Sequence, residues 1–356
     1  MSSMQYPLIS WFKDIGIQDR PSVGGKGASL GELTRAGIQV PTGFVVTTSA
    51  FERYLDETDK QGTIRATVEQ LEAGDVTAIT EASNTLRQRI MQTPMPADLE
   101  TSIGDSYRQL CGNRSNVPVA VRSSATSEDS AEASFAGLQD TYLWIRGEQE
   151  VVNAVLECWA SLYSSESISY RLRLNLPEQQ LAMGVVIQEM VDSLCSGVMF
   201  TRSPTTGDKS VITLEGSWGL GSSIVSGEVT PDRYVINKVT GEIMDRSVST
   251  KLIQHTPSTK GGTIEEEVQP EKQNIPCLFD EQIFELASIA KKVEQHYACP
   301  QDIEWAISRD DQSAGGTYLL QSRPETVWAA KDVKPVAAPK SKAYDHIYSI
   351  LGGRNK

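Results

Sequence analysis

The stretch Val119–Leu143, VAVRSSATSEDSAEASFAGLQDTYL, decides how the chain is read. It opens as a run of small apolar residues of the kind that forms a buried strand, then reaches Arg122 and a string of Ser, Ala and Thr. Small and hydroxyl side chains leave backbone N–H groups accessible, so such a loop can wrap an anion. An arginine at its mouth adds fixed charge and a planar fork of donors matched to phosphate oxygens. Glu128, Asp129 and Glu132 would repel a phosphate, so they are expected to face solvent or a metal. A serine-rich surface loop would share this composition, and the neighbouring segments have to separate the two readings.

Upstream, residues 22–33 read SVGGKGASLGEL. A Walker-type loop needs G-x-x-x-x-G-K followed at once by Ser or Thr. Here Gly27 follows Lys26, and no earlier glycine stands at the required distance. The segment is therefore a turn ahead of a helix, or Lys26 meets phosphate in a different kind of nucleotide site. Leu30 and Leu33 share one face of a helix expected over 26–36, which Gly37 stops. A strand at 43–47 and a helix capped by Thr48 or Ser49 come next. Residues 63–111 read as polar helices broken by Gly74, Pro94 and Pro96, and two more helices are expected near 148–163 and 165–175.

Downstream the texture turns to β. VVIQEMV (185–191) sets Gln188 and Glu189 in an apolar strand, either a solvated edge or a hinge between the lobes of a nucleotide enzyme. EGSWGLGSSIVSGEVTPDRYVI (215–236) is glycine-rich without a lysine, a loop near phosphates or a cluster of turns. Thr240 and Gly241 mark a hairpin, a helix is expected at 280–297, and DIEWAIS and TYLLQSR form two last strands. Glu304 and Gln321 lie on these adjacent strands, and period-two spacing puts Gln321 and Arg323 on the same face. A carboxylate with an amide oxygen is a hard-oxygen set suited to Mg²⁺, although a hairpin with a surface ion pair would read alike.

The bulk numbers set bounds. A chain of 356 residues has room for two domains of about 150 residues each. Its hydrophobic content of 39% is enough to build real cores. A net charge of −13 argues against a general nucleic-acid or anionic-membrane binder, while leaving room for a local positive pocket. The five cysteines are dispersed with no C-x-x-C pair, the pattern of reduced thiols rather than of a disulfide framework or zinc site. The N-terminus lacks the basic start and apolar core of a signal peptide, and no stretch approaches the ~20 apolar residues of a membrane span. The cytoplasm is the expected location. Residues 327–356 carry six Lys/Arg against two Asp/Glu, so a basic, linker-like tail follows an acidic body.

Five segments occur in order: GGKGASLGEL with VPTGFVVTTSAF, VAVRSSATSEDS with SFAGLQDTYL, GVVIQEMV with SGVMFT, EGSWGLG with VSGEVTPDRY, and PQDIEWA with LLQSRPET. Together, over about residues 10 to 326, they resemble the N-terminal ATP-binding domain of phosphoenolpyruvate synthase and its relatives. Those relatives are pyruvate phosphate dikinase, rifampicin phosphotransferase, glucan water dikinase and phenylphosphate synthase. The resemblance implies an α+β, ATP-grasp-type two-lobed fold. Residues 1–190 would form the N-terminal lobe with a helical insertion, 191–326 the C-terminal lobe and 327–356 the tail. It also implies that Lys26, Arg122 and Arg323 contact ATP phosphates and carry the catalytic charge. Gly137 and Thr141 would line the phosphate side, Gln188 would sit near the adenine with Glu189 beside it at the hinge, and Glu304 and Gln321 would hold Mg²⁺.

One departure redirects the functional expectation. In that family the phosphoryl group passes to a histidine of a swivelling domain, in a motif like T-S-H-A. This chain has only His255, His296 and His346, none in such surroundings. The resemblance therefore points to an ATP-binding subunit of a split dikinase-like phosphotransferase. It would phosphorylate a histidine on a partner polypeptide that also carries the acceptor-binding domain, with AMP and phosphate released. Phenylphosphate synthase divides its work between polypeptides in this way, so a phenolic acceptor is expected, and SILGGRNK reads as a natural chain end. The alternatives are an excised domain of a phosphoenolpyruvate synthase or rifampicin phosphotransferase, a non-catalytic ATP-responsive regulatory subunit, and an independent ATP-grasp ligase.

Overall fold

The computed structural model describes residues 7–126, 129–130, 133–134, 140–178, 181–259, 261–310 and 316–328. The first sheet contains β1 (Ile9–Trp11), β2 (Gly43–Val46), β3 (Val119–Ala125), β6 (Thr141–Ile145) and β7 (Met183–Glu189). All its pairings are antiparallel, in the order β1-β2-β7-β3-β6. Between β3 and β6, the two-residue strands β4 (Asp129–Ser130) and β5 (Ala133–Ser134) pair with each other.

Strands β2, β3 and β7 are buried almost throughout because both faces of this sheet are covered, β3 carrying Arg122, Ser123 and Ser124 inside. Helices α2 (Thr48–Thr58), α3 (Thr63–Glu69), α4 (Val76–Gln92), α5 (Ala97–Cys111), α6 (Glu148–Ser161) and α7 (Ser165–Leu174) supply the cover on one side. There Phe44, Val121 and Ile187 pack with Phe51, Tyr54 and Trp159, and Tyr54 stacks on Trp159 with ring centroids 5.1 Å apart. On the other side Val45 and Val186 meet Val23, Ala28 and Leu30 of α1 (Arg20–Arg35). The expected 26–36 helix is the main part of α1; the helical path is interrupted at Gly24, whose φ of 72° only glycine adopts freely. The cap expected from Thr48 or Ser49 falls on Thr47, whose hydroxyl donates instead to the Pro7 carbonyl at 2.6 Å.

After only three residues β7 gives way to β8 (Ser193–Phe200), the first strand of a second sheet. With β9 (Val211–Trp218), β10 (Asp232–Asn237), β11 (Ile243–Ser247), β14 (Gln301–Ser308) and β15 (Thr317–Pro324) it forms the order β11-β10-β9-β8-β14-β15. Helix α10 (Asp280–Tyr297) covers it, packing Leu286, Ala290 and Val293 with Leu214, Ile303 and Trp305. Two single turns, α8 (Ser222–Val225) and α9 (Pro270–Gln273), flank a separate hairpin of β12 (Ile253–Pro257) and β13 (Thr263–Glu267).

Helix α1 belongs to both halves. Leu30 lies in the core under the first sheet, while Leu33, three residues on, joins the core of the second. Ser29 Oγ donates to the Ser322 carbonyl at 2.6 Å, and the Leu319 N–H donates to the Gln39 carbonyl at 2.9 Å. The architecture is the expected α+β class, with antiparallel sheets. Among the described residues no helix is long and apolar enough to cross a membrane, and the five cysteines are free. The tail from 329 onward lies outside the described residues, but Trp328 is anchored, its indole N–H donating to the Pro204 carbonyl at 2.9 Å.

Candidate functional site

Directly opposed residues of an antiparallel pair share a face. In the first sheet Arg122 stands opposite Val186 and Thr141, and Gln188 opposite Gly43 and Ala120. Arg122, Gln188, Ser124 and Thr141 therefore share the face on which α1 lies. The glycines of SVGGKG permit that approach. A Cβ on Gly24 would stand 1.9 Å from the Ser124 carbonyl oxygen, and one on Gly184 would stand 2.9 Å from that of Val23. The contact is closed by hydrogen bonds: Ser124 Oγ donates to the Val23 carbonyl at 2.8 Å and accepts from the Gly27 N–H at 3.1 Å. The two motifs read separately in the sequence are one joint in space, with half-buried Lys26 set beside Gly27.

Arg122 is the centre of the site. Its guanidinium leaves the first sheet and is bound by the second. Nη1 donates to the Leu320 carbonyl at 3.1 Å and lies 3.5 Å from Gln188 Oε1. Nη2 donates to Glu304 Oε2 at 3.2 Å and also to Gln321 Oε1. Glu304 and Gln321 face each other across β14 and β15, just before a bulge, and Asp302 and Arg323 form the next pair on the same face. Arg323 is the most open of these, with Nε 3.5 Å from Asp302 Oδ2.

Several polar atoms in this group are buried yet carry no hydrogen bond among the described residues: Arg122 Nε, Gln188 Nε2 and Asp302 Oδ1. Gln188 is only 2% exposed, so its idle amide donor is an unmet cost of burial unless a ligand supplies the acceptor. Burial also pushes the Asp302 carboxyl above its ordinary value, with Arg323 partly opposing the shift. Asp302 went unrecognised in the sequence; the period-two spacing that pairs Gln321 with Arg323 also pairs it with Glu304.

The remaining expected residues are placed as follows. Thr141 is exposed, directly across from Arg122. Lys26 lies with Asp140 and Glu157 in electrostatic reach of the buried Cys158 thiol, which burial raises well above its usual range. Glu189 falls on the opposite face of β7, where its carboxylate takes both arms of Arg114 and its N–H donates to the Thr42 carbonyl at 2.9 Å. Gly137, Glu128 and Glu132 lie outside the described residues, as does His346. His296 pairs with Glu32 at 2.7 Å, and His255 with Glu228 at 2.9 Å.

The family model for the pyruvate phosphate dikinase AMP/ATP-binding domain matches residues 20–343, a span that holds every residue of the site from Lys26 to Arg323. The chain belongs to this family. Similar proteins include a probable phosphoenolpyruvate synthase of Methanothermobacter thermautotrophicus, 43% identical over 320 residues, covering 89% of this chain and 46% of that protein. The phosphoenolpyruvate synthase of Aeropyrum pernix is 42% identical over 364 residues, covering 94% of this chain and 44% of the relative. A probable phosphoenolpyruvate synthase of Archaeoglobus fulgidus is 43% identical over 319 residues, covering 89% of this chain and 41% of the relative. The chain thus spans less than half the length of these relatives, and it is homologous to their N-terminal part.

Proposed function

We propose that this chain is the ATP-binding part of a dikinase-type phosphotransferase, an ATP-grasp-type fold whose two lobes close on Mg·ATP. The observation that carries this reading is the bridge from Arg122 to Glu304, Gln321 and Leu320, beside the idle amide of buried Gln188. Phosphoryl transfer depends on positioning and charge neutralisation, and an arginine suspended between two sheets supplies both. Lys26, Arg122 and Arg323 contact the phosphates, with Gly137 and Thr141 on the same side. Gln188 offers its free N–H to a nucleotide acceptor near Arg122, and Glu189 contributes through the backbone of the hinge because its carboxylate is turned to Arg114.

Magnesium suits the oxygens of Glu304 and Gln321, which already converge on one cationic nitrogen, and when bound it would neutralise phosphate charge. Phosphate oxygens offer the guanidinium stronger, bidentate partners. In our reading Arg122 moves onto the nucleotide and frees both protein oxygens.

The phosphoryl group then passes to a histidine outside this chain's site, on a separate subunit carrying the phosphohistidine swivelling domain and the acceptor-binding domain, with AMP and phosphate as end products. A division into subunits favours a phenolic acceptor, as in phenylphosphate synthase. A second reading, the ATP-binding portion of a phosphoenolpyruvate synthase, is favoured by the names of the relatives. The test is calorimetric titration of the chain with Mg·ATP, followed by intact-mass and nucleotide analysis. Tight binding without label or turnover is expected. Absence of binding defeats the proposal, and a phosphorylated chain with AMP release would place the acceptor histidine here.

A further inference from the structure

Away from the Arg122 group, a second set of side chains converges where the glycine-rich turn after β9 meets the β12–β13 hairpin. His255 is central in β12, and Glu265 stands directly across from it in β13, so the two share a face. The Leu220 N–H donates to the His255 carbonyl at 2.9 Å, which fixes the turn against the hairpin. Helix α8 then begins, placing Ser222 Oγ 2.7 Å from His255 Nδ1. The turn after α8 brings Glu228 Oε2 to 2.9 Å from His255 Nε2. One ligand atom from each of Glu228, His255 and Glu265 lies within 4.8 Å of the other two.

We propose that Glu228, His255 and Glu265 form a site for a divalent transition-metal ion of the zinc class. One imidazole nitrogen with two carboxylate oxygens is a donor set that Zn²⁺ accepts, with water completing the shell. The imidazole separates it from the Mg²⁺ chemistry of the Arg122 group, because nitrogen donors favour Zn²⁺, Co²⁺ and Ni²⁺ over hard cations. Ser222 acts on the far ring nitrogen: its hydroxyl can accept a hydrogen bond from Nδ1–H and hold the ring oriented when the ion replaces the proton that Nε2 shares with Glu228. Two carboxylates brought this close repel each other, and a dication between them converts that repulsion into attraction. His255 is largely buried while both glutamates are exposed, so the ion enters from solvent.

The three ligands come from three separate segments, so the bound ion ties the turn after α8 and both strands of the hairpin together. The tip of that hairpin reaches the first sheet, where the Gly262 N–H lies 3.4 Å from the Trp144 carbonyl. The ion stiffens an arm that spans both sheets. This site stands independently of the ATP reading.

The experiment is titration of the full chain with Co²⁺, followed by its visible absorption, and with Zn²⁺ by calorimetry, both without nucleotide or Mg²⁺. One equivalent is expected, at least about 10-fold weaker in His255→Gln and in Glu265→Gln, and about 10-fold weaker in Ser222→Ala. Glu265 lies on an exposed strand face, so its variant keeps the test valid should the histidine variant disturb the hairpin. Cys299→Ser should bind unchanged. No Co²⁺ absorption with the unaltered chain, equal affinity in Glu265→Gln, or loss in Cys299→Ser would each overturn the assignment.

Discussion

Two buried cations of this protein are treated in opposite ways. Lys251 is fully enclosed in the second half, and its ammonium donates to Asp232 Oδ1 at 2.6 Å and to the Ser249 carbonyl at 2.8 Å. Asp232 is satisfied in turn by the N–H groups of Ser249 and Cys277 at 2.9 and 2.8 Å. Arg122 is almost as enclosed, yet it crosses from one sheet to the other, and Nε finds no partner among the described residues. A closed set of partners holds three segments of one core in place. An open set keeps hydrogen-bonding capacity in reserve, which is what a ligand requires.

The contrast can be tested by variants. Lys251→Met leaves a buried carboxylate uncompensated and is expected to cost about 3–5 kcal/mol in urea unfolding. ATP affinity of the folded fraction should stay the same; a binding loss without a stability loss would reverse the roles given to the two cations. Arg122→Ala is expected to weaken Mg·ATP by about 10- to 100-fold, the range for a hydrogen bond to a charged group, with a far smaller change in unfolding. Equal affinity by calorimetry would remove Arg122 from the site. Gln188→Leu deletes an idle donor, so the free protein should be no less stable while Mg·ATP binds about 3- to 10-fold more weakly. A drop in melting temperature instead would mean the amide serves the core.

The smallest effect belongs to a pair outside both buried groups. The Ile17 N–H, aided by His296, holds the Glu32 carboxyl below the usual carboxylate range. A depressed carboxyl stabilises above its unfolded value, near 4.3, and that contribution is lost as pH falls through the lower folded value. The pair is largely solvent-screened, so Glu32→Gln should cost less than about 1 kcal/mol at pH 7. The difference between the variant and the unaltered chain should vanish in unfolding curves at the acid end.

What could be read in advance follows from how local each signal is. The strand positions of Arg122, Glu304, Gln321 and Arg323 were legible because alternation fixes the face of each, and α10 was legible from end to end. Glu189 shows the limit of that reading: adjacent residues of a strand point to opposite faces, so it could not join Gln188 as a side-chain contact. The segment of Gly24, Lys26 and Gly27 read as a turn ahead of a helix or a phosphate contact of Lys26. What its spacing could not give is that the glycines let α1 touch Ser124, a contact between residues about a hundred positions apart. The Lys251–Asp232 pair had no sequence signal, since the two lie 19 residues apart in segments that only tertiary packing brings together.

Helix α1 carries one further consequence. Leu30 is fixed in one core and Leu33 in the other, less than one helical turn away. A rod seated in two bodies at neighbouring points is a fulcrum with almost no lever arm. Lys26 rides on that rod, and Ser29 on the same rod holds the Ser322 carbonyl of β15, so Gln321 and Arg323 on either side of Ser322 keep their register to the lysine.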